Sequence, residues 1–181
     1  MPSGLARSFR CAVSIFLFVL SACGGGGGDD GGQSSNQSRV LPPDPGAAGQ
    51  LTVEGVDANT NGIRDDVERY IDSTFPSSEK IIRALNQYAQ VLQRSMVAAA
   101  VQDALSIEDS MARAMRCLVS VVEPSSTNSA SFMVNDVLAR QLNTKARMLA
   151  YGTYADSRAG KVVVVDFSSK PCDFDPGTLP N

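Results

Sequence analysis

The sequence predicts a mainly α-helical fold, a small antiparallel bundle of about four helices ending in a short β or extended C-terminal segment. Three observations carry that expectation. Apolar residues recur every three or four positions in four runs that begin at Arg64 and finish before Ala159-Gly160. Pro76, Pro124 and Gly160 punctuate those runs where helices have to stop. Only one stretch, V162-V-V-V-D-F167, is dense enough in β-branched residues to read as a strand.

The first run, R64-D-D-V-E-R-Y-I-D-S-T-F75, sets Val67, Tyr70, Ile71 and Phe75 at near-helical spacing. Pro76 ends it, because the residue before a proline avoids the α region. Ser77 then offers a hydroxyl N-cap, and Glu79 stands in the next first turn, where the helix dipole favours a negative charge. The second helix carries the stripe Ile81, Leu85, Tyr88, Leu92, Met96 and Ala99. S106-I-E-D109 reads as a capping-box start for a third, with Ile107, Met111, Ala114, Leu118 and Val122 inward and Glu123-Pro124 at its end. A polar loop leads to a fourth run from about Ser131, whose inner face is Val134, Leu138, Leu142, Ala146 and Leu149, with a break or re-cap at Asn143-Thr144. The strand at 162–167 needs a partner, and L51-T52-V53 is the candidate. Methionines and aromatics on these stripes read as core, and short connections make an antiparallel bundle of them.

The N-terminus has a different character. Arg7 and Arg10 precede an apolar run, Ala12 to Ala22, that is too short to span a bilayer, which needs about 20 apolar residues. It reads as a signal segment, 1–22. Its end, L20-S21-A22-C23, resembles the lipobox of bacterial lipoproteins. That resemblance implies diacylglycerol on the thiol of Cys23, cleavage before it, and acylation of the new amino terminus. Gly24, standing where many such lipoproteins carry an inner-membrane Asp, implies the outer membrane, with the domain facing the periplasm or the surface. Two or more acyl chains anchor stably, since each buried methylene contributes about 0.8 kcal/mol.

Residues 23–50 are rich in Gly, Ser, Gln and Pro and predict a tether, because such a composition buries too little apolar surface to offset the entropy of ordering. A flexible coil of that length spans about 30 Å on average. The foldable part is 51–181. Losing 1–22 removes two of the 16 basic residues and none of the 19 acidic ones, taking the net charge from −3 to −5. That balance excludes the basic footprint of a nucleic-acid partner. The partners expected are the membrane through Cys23 and an envelope protein or glycan.

Of the four cysteines, Cys11 leaves with the signal and Cys23 carries lipid. Cys117 and Cys172 remain in an exported chain, where a disulfide between them is expected. In the chain-entropy model, closing so long a loop stabilises by about 4 kcal/mol.

Residues 57–68, D-A-N-T-N-G-I-R-D-D-V-E, alternate oxygen-bearing side chains up to a glycine and then enter a helix. Calcium takes six to eight oxygens, and a tight loop supplies them from alternate positions. The string resembles EF-hand loops, and more closely the calcium loops of dockerins and thrombospondin type 3 repeats. The resemblance implies Asp57, Asn59 and Asn61 as the first ligands, the Ile63 carbonyl next, Asp65 directly or through water, and Glu68 bidentate from the helix, with Asp66 as a substitute. Gly62 supplies the left-handed turn. Arg64 stands where EF-hand loops carry an aliphatic residue, and L51-T-V-E-G-V56 is not an incoming helix, so a solitary structural site fits better than a paired sensor. Two asparagines in place of aspartates predict weak affinity, about 10⁻⁴–10⁻³ M. A polar turn that caps the helix without metal is the competing reading.

The chain has no histidine, which excludes His-dependent triads and His-ligated zinc. S77-S-E-K80 is similar to the S-x-x-K of penicillin-binding enzymes, but S-D-N and K-T-G are absent, and a Ser77 N-cap accounts for it. The expected function is a non-catalytic, calcium-binding envelope module. A serine hydrolase using Ser77 and Lys80 and a metal-free spacer are the alternatives.

Overall fold

The computed structural model describes residues 39–97, 104–122 and 129–180, except positions 163, 165 and 169. The signal segment, Cys23, the first part of the tether, Ala99 and Glu123-Pro124 lie outside these residues.

Among the described residues, five helices form a small bundle: α1 (Asp65–Thr74), α2 (Glu79–Val97), α3 (Ala104–Val121), α4 (Ala130–Gln141) and α5 (Lys145–Arg158). The central helix is α2, which touches all the others. Its inward residues Leu85, Tyr88, Leu92 and Met96 are buried as the stripe predicts, together with Ile82, whereas Ile81 is only partly covered. Ile107, Met111, Ala114 and Leu118 of α3 meet them, and Met133, Val134 and Val137 of α4 close the core. No described helix is long and apolar enough to cross a membrane.

Several expected boundaries move. The hydroxyl that caps α2 is that of Ser78, which accepts from the Ile81 N–H at 3.3 Å, while Ser77 sits exposed in the turn before it. Ser106 lies inside α3 rather than at its start. The fourth run is two helices. Its chain breaks at Leu142–Asn143, and Thr144 re-caps it by accepting from the Arg147 N–H. The break resets the helical phase, so Ala146 and Leu149 face solvent and α5 turns Arg147, Tyr151 and Tyr154 inward instead. Gly160, at φ +73°, follows the end of α5 as expected.

No strand occurs among the described residues. Val162 and Val164 are each 88% exposed, and Leu51 to Glu54 form bends. The expected pairing is lost for a physical reason at the 51–53 side: carbonyl oxygens a strand ladder would use there are taken by the Arg147 guanidinium, which donates to Thr52 and Val53.

Residues 39–50, whose composition reads as tether, belong to the same compact unit as the helices. Pro42 and Gly49 are buried, and a short 3-10 helix spans Gly46–Gln50. Arg39 pairs with Asp72 at 2.5 Å and Glu79 at 2.6 Å, and Arg69 donates to the Pro42 carbonyl. At the other end of the chain, Cys117 and Cys172 form the expected disulfide, with Cα atoms 4.8 Å apart. Gln87 of α2 secures the same tail by donating to the Pro171 carbonyl and accepting from the Asp173 N–H.

Candidate metal centre

The loop 57–68 wraps around its own side chains. Gly62 takes φ +81°, the left-handed conformation expected of it, and Thr60 adopts φ 55° two residues earlier. The turn brings Asn59 and Asn61 across to the first turn of α1. Each donates its Nδ2 to Glu68 Oε2 at 3.0 Å. Asp57 faces the backbone instead, accepting from Asn61 N at 3.1 Å and Gly62 N at 2.8 Å. Asp65, almost wholly buried, accepts from Ala58 N through both oxygens, while its own N–H donates to the Val56 carbonyl at 2.9 Å. Asn61 Oδ1 accepts from Ile63 N, and the Ile63 side chain drops into the core.

Of the expected ligands, Asn59, Asn61 and Glu68 are thus in direct contact, whereas Asp57 and Asp65 are turned to backbone N–H groups. Among the described residues, however, no three Asp, Glu, Cys or His side chains are grouped closely enough to hold a metal ion. The carboxylates are each engaged by N–H groups. The donor set nonetheless fits calcium chemically: it consists of oxygens only, three of them carboxylates, without histidine or thiolate. Amide oxygen and nitrogen in Asn59 and Asn61 exchange places by rotation about one bond, so the groups now donating to Glu68 can present oxygen there.

The expected substitute, Asp66, points elsewhere. It forms a bidentate pair with Arg64, whose Nε and Nη2 reach its two oxygens at 2.9 and 2.7 Å. Arg64 is fully buried, and its Nη1 donates to the backbone and side-chain oxygens of Gln141. A second buried guanidinium lies alongside. Arg147 donates to Asn143 Oδ1 at 2.6 Å and to the carbonyls of Gly49, Thr52 and Val53 at 2.5, 2.9 and 3.2 Å. Burial first, and then the positive Arg64, hold Arg147 below the ordinary arginine value. Gly55, at φ +68°, passes so close that a Cβ there would lie 2.8 Å from Arg147 Nη2 and 2.9 Å from Arg64 Cδ. Only glycine fits.

Hydropathy misses this arginine pair, because it assigns arginine to solvent. Two signals in the sequence do point to it. Arg64 takes the loop position at which an inward aliphatic residue is usual, and Arg147 shares helical spacing with Tyr151 and Tyr154 once the break at Asn143 is admitted. Gln90 and Gln93 complete the seam between α2 and the loops by donating to the Asn61 and Glu54 carbonyls.

Beside the loop, an open cleft of about 320 Å³ is lined by Asn61, Arg39, Glu79, Arg83, Asn86 and Phe174, among others. Ser77 and Lys80, the residues of the hydrolase alternative, are joined by no hydrogen bond among the described residues, and Ser77 lies on an exposed turn. No protein-family model, no curated protein and no solved structure matches this chain.

Proposed function

We propose that loop 57–68 binds one calcium ion and that the chain is a non-catalytic envelope lipoprotein, anchored in the outer membrane through Cys23 and carrying a calcium-stabilised helical domain. The observation that carries the metal reading is the meeting of Asn59 and Asn61 with Glu68 across the turn at Gly62. A loop that only caps a helix has no need to bring its third, fifth and twelfth positions together. Calcium would take the place of the amide hydrogens between them, with Asp57, the Ile63 carbonyl and Asp65 completing the oxygen set. The role is structural, because the same loop carries Ile63 into the core and Arg64 into the buried polar seam. The partner, an envelope protein or a glycan, has the polar cleft next to Asn61 available to it.

The test is a calcium titration followed by thermal unfolding, with magnesium and Glu68→Ala as controls. A rise in melting temperature with calcium, absent with magnesium and lost in Glu68→Ala, is expected. A melting temperature indifferent to calcium removes the metal. Anchoring is tested separately: mass spectrometry of the membrane fraction should find acyl chains on Cys23, and Cys23→Ser should release the protein.

A further inference from the structure

We propose that calcium occupancy of loop 57–68 sets how firmly the N-terminal arm, residues 39–56, is held against the helical body. The inference rests on the calcium reading above and adds to it a regulated joint between the tether and the domain.

The arm has two kinds of attachment. Upstream, Arg39 and the Pro42 carbonyl are held by exposed or half-exposed partners on α1 and α2. Downstream, the attachments are buried or part-buried: Gln93 of α2 donates to the Glu54 carbonyl, and the rest run through Asp65 of the loop or Arg147 of α5. Asp65 is at once a proposed ligand and the residue that secures the end of the arm, through the Val56 carbonyl and the Ala58 N–H. Its neighbour Arg64 shares the acceptor Asn143 Oδ1 with Arg147, and Arg147 grips the carbonyls of Gly49, Thr52 and Val53. One chain of contacts therefore runs from the ligand set through Arg64, Asn143 and Arg147 to the arm.

Without a cation, Asp57, Asp65 and Glu68 keep three like charges inside twelve residues, and their repulsion favours opening the loop. Opening withdraws Asp65 from Val56 and Ala58 and frees Arg64 from the acceptor that positions Arg147, so the downstream hold on the arm weakens. A calcium ion removes the repulsion and closes the same contacts. Leu85 and Leu92 of α2 pack with Met111, Ala114 and Leu118 of α3 in a core to which the loop ahead of α1 adds only the Ile63 side chain, so the body persists while the arm loosens. In a lipid-anchored chain, release of 39–56 would add 18 residues to the leash, a segment that spans about 23 Å on average as a flexible coil. Linkage is reciprocal: whatever weakens the hold on the arm weakens calcium binding by the same factor.

The experiment is hydrogen–deuterium exchange of the full chain in detergent, with calcium, magnesium or chelator, alongside calcium titrations of the parent and of Asn143→Ala. Calcium should slow exchange about tenfold in peptides covering 45–58, leaving α2 and α3 nearly unchanged, and Asn143→Ala should weaken calcium severalfold although Asn143 is no ligand. Protection confined to 57–68, or a calcium affinity indifferent to Asn143→Ala, would overturn the joint while leaving the metal site standing. No calcium-dependent change in melting temperature or exchange anywhere would remove both. The exchange measurement needs no variant, so misfolding of Asn143→Ala does not blunt it.

Discussion

Arg64 and Arg147, two fully buried guanidiniums, share a single acceptor in Asn143 Oδ1, 3.4 Å from Arg64 Nη2 and 2.6 Å from Arg147 Nη1. Two like charges so placed are tolerable only because nearly all their N–H groups are spoken for, by Asp66, Gln141 and three backbone carbonyls. Arg64→Lys keeps the charge but replaces a planar fork with a compact ammonium that cannot reach Asp66, Gln141 and Asn143 together. The expected loss is about 3 kcal/mol, the scale on which a buried ion loses its partners. Urea denaturation measures it. A loss below about 1 kcal/mol would mean that the shared acceptor contributes little.

The apolar half of this architecture was legible and the polar half was not. Leu85, Tyr88 and Leu92 on α2, and Met111, Ala114 and Leu118 on α3, are buried where their spacing puts them, because apolar side chains sort to one face at 3.6 residues per turn. The same rule failed at Ala146 and Leu149, since it assumes an unbroken helix and the chain turns at Asn143. It failed again for L51-T52-V53. Those residues look β-prone, but a distant arginine on α5 claims two of their carbonyls. Long-range hydrogen bonds of that kind leave no local pattern. In the candidate site, spacing brought out Asn59, Asn61 and Glu68, which meet by hydrogen bonds. It did not reveal that Asp57 and Asp65 are engaged by backbone N–H groups, or that Asp66 belongs to Arg64.

The two left-handed residues of the loop make opposite predictions. Gly62→Ala forces a side chain into φ +81°, with its Cβ 3.1–3.2 Å from the Gln90 side chain that donates to the Asn61 carbonyl. A loss of about 1–3 kcal/mol is expected. Thr60 is β-branched yet sits at φ 55°, so Thr60→Gly relieves strain and should be neutral or stabilising by up to about 1 kcal/mol. Thermal unfolding of both variants in chelator checks the pair without involving metal.

Asp57 and Glu68 should separate by their dependence on calcium. Asp57 satisfies two backbone N–H groups within the turn, so Asp57→Ala is expected to destabilise by about 1–3 kcal/mol even in chelator. Glu68 meets only two amide side chains, one of them exposed, and Glu68→Ala in chelator should change stability by less than about 1 kcal/mol. With calcium, both variants should fail to gain the stabilisation shown by the parent. A Glu68→Ala protein that still responds to calcium would move the twelfth ligand elsewhere.

The Cys117–Cys172 bridge holds the tail against α3, and the Gln87 contacts to Pro171 and Asp173 and the Arg113–Asp173 ion pair depend on that placement. Reduction, or the double change Cys117→Ala and Cys172→Ala, should cost about 2–5 kcal/mol in urea unfolding. The helical body should persist under native conditions, since most of its core lies in α1 to α5, with Cys172 and Phe174 added from the tail. Without reductant, alkylation should label neither residue.

Stability should fall at alkaline pH before the helices have any other reason to melt. Tyr88 and Tyr154 are nearly fully buried, and burial raises both phenols above their ordinary value of 10.0, with the hydrogen bond from Tyr154 to Glu108 raising the latter further. The unfolded chain releases these protons near the ordinary value while the folded chain keeps them. The stabilisation is therefore complete below pH 10 and declines as pH rises above it, by up to about 1.4 kcal/mol per pH unit for each tyrosine. Tyr154→Phe keeps the ring in place and leaves Glu108 paired with Arg158 at 2.8 Å. Urea midpoints of the parent and of Tyr154→Phe, compared between about pH 9 and pH 11, should show a shallower slope in the variant, with Tyr88 and the likewise raised Tyr70 carrying the remainder. An equal slope in both would assign the alkaline loss to groups other than this phenol.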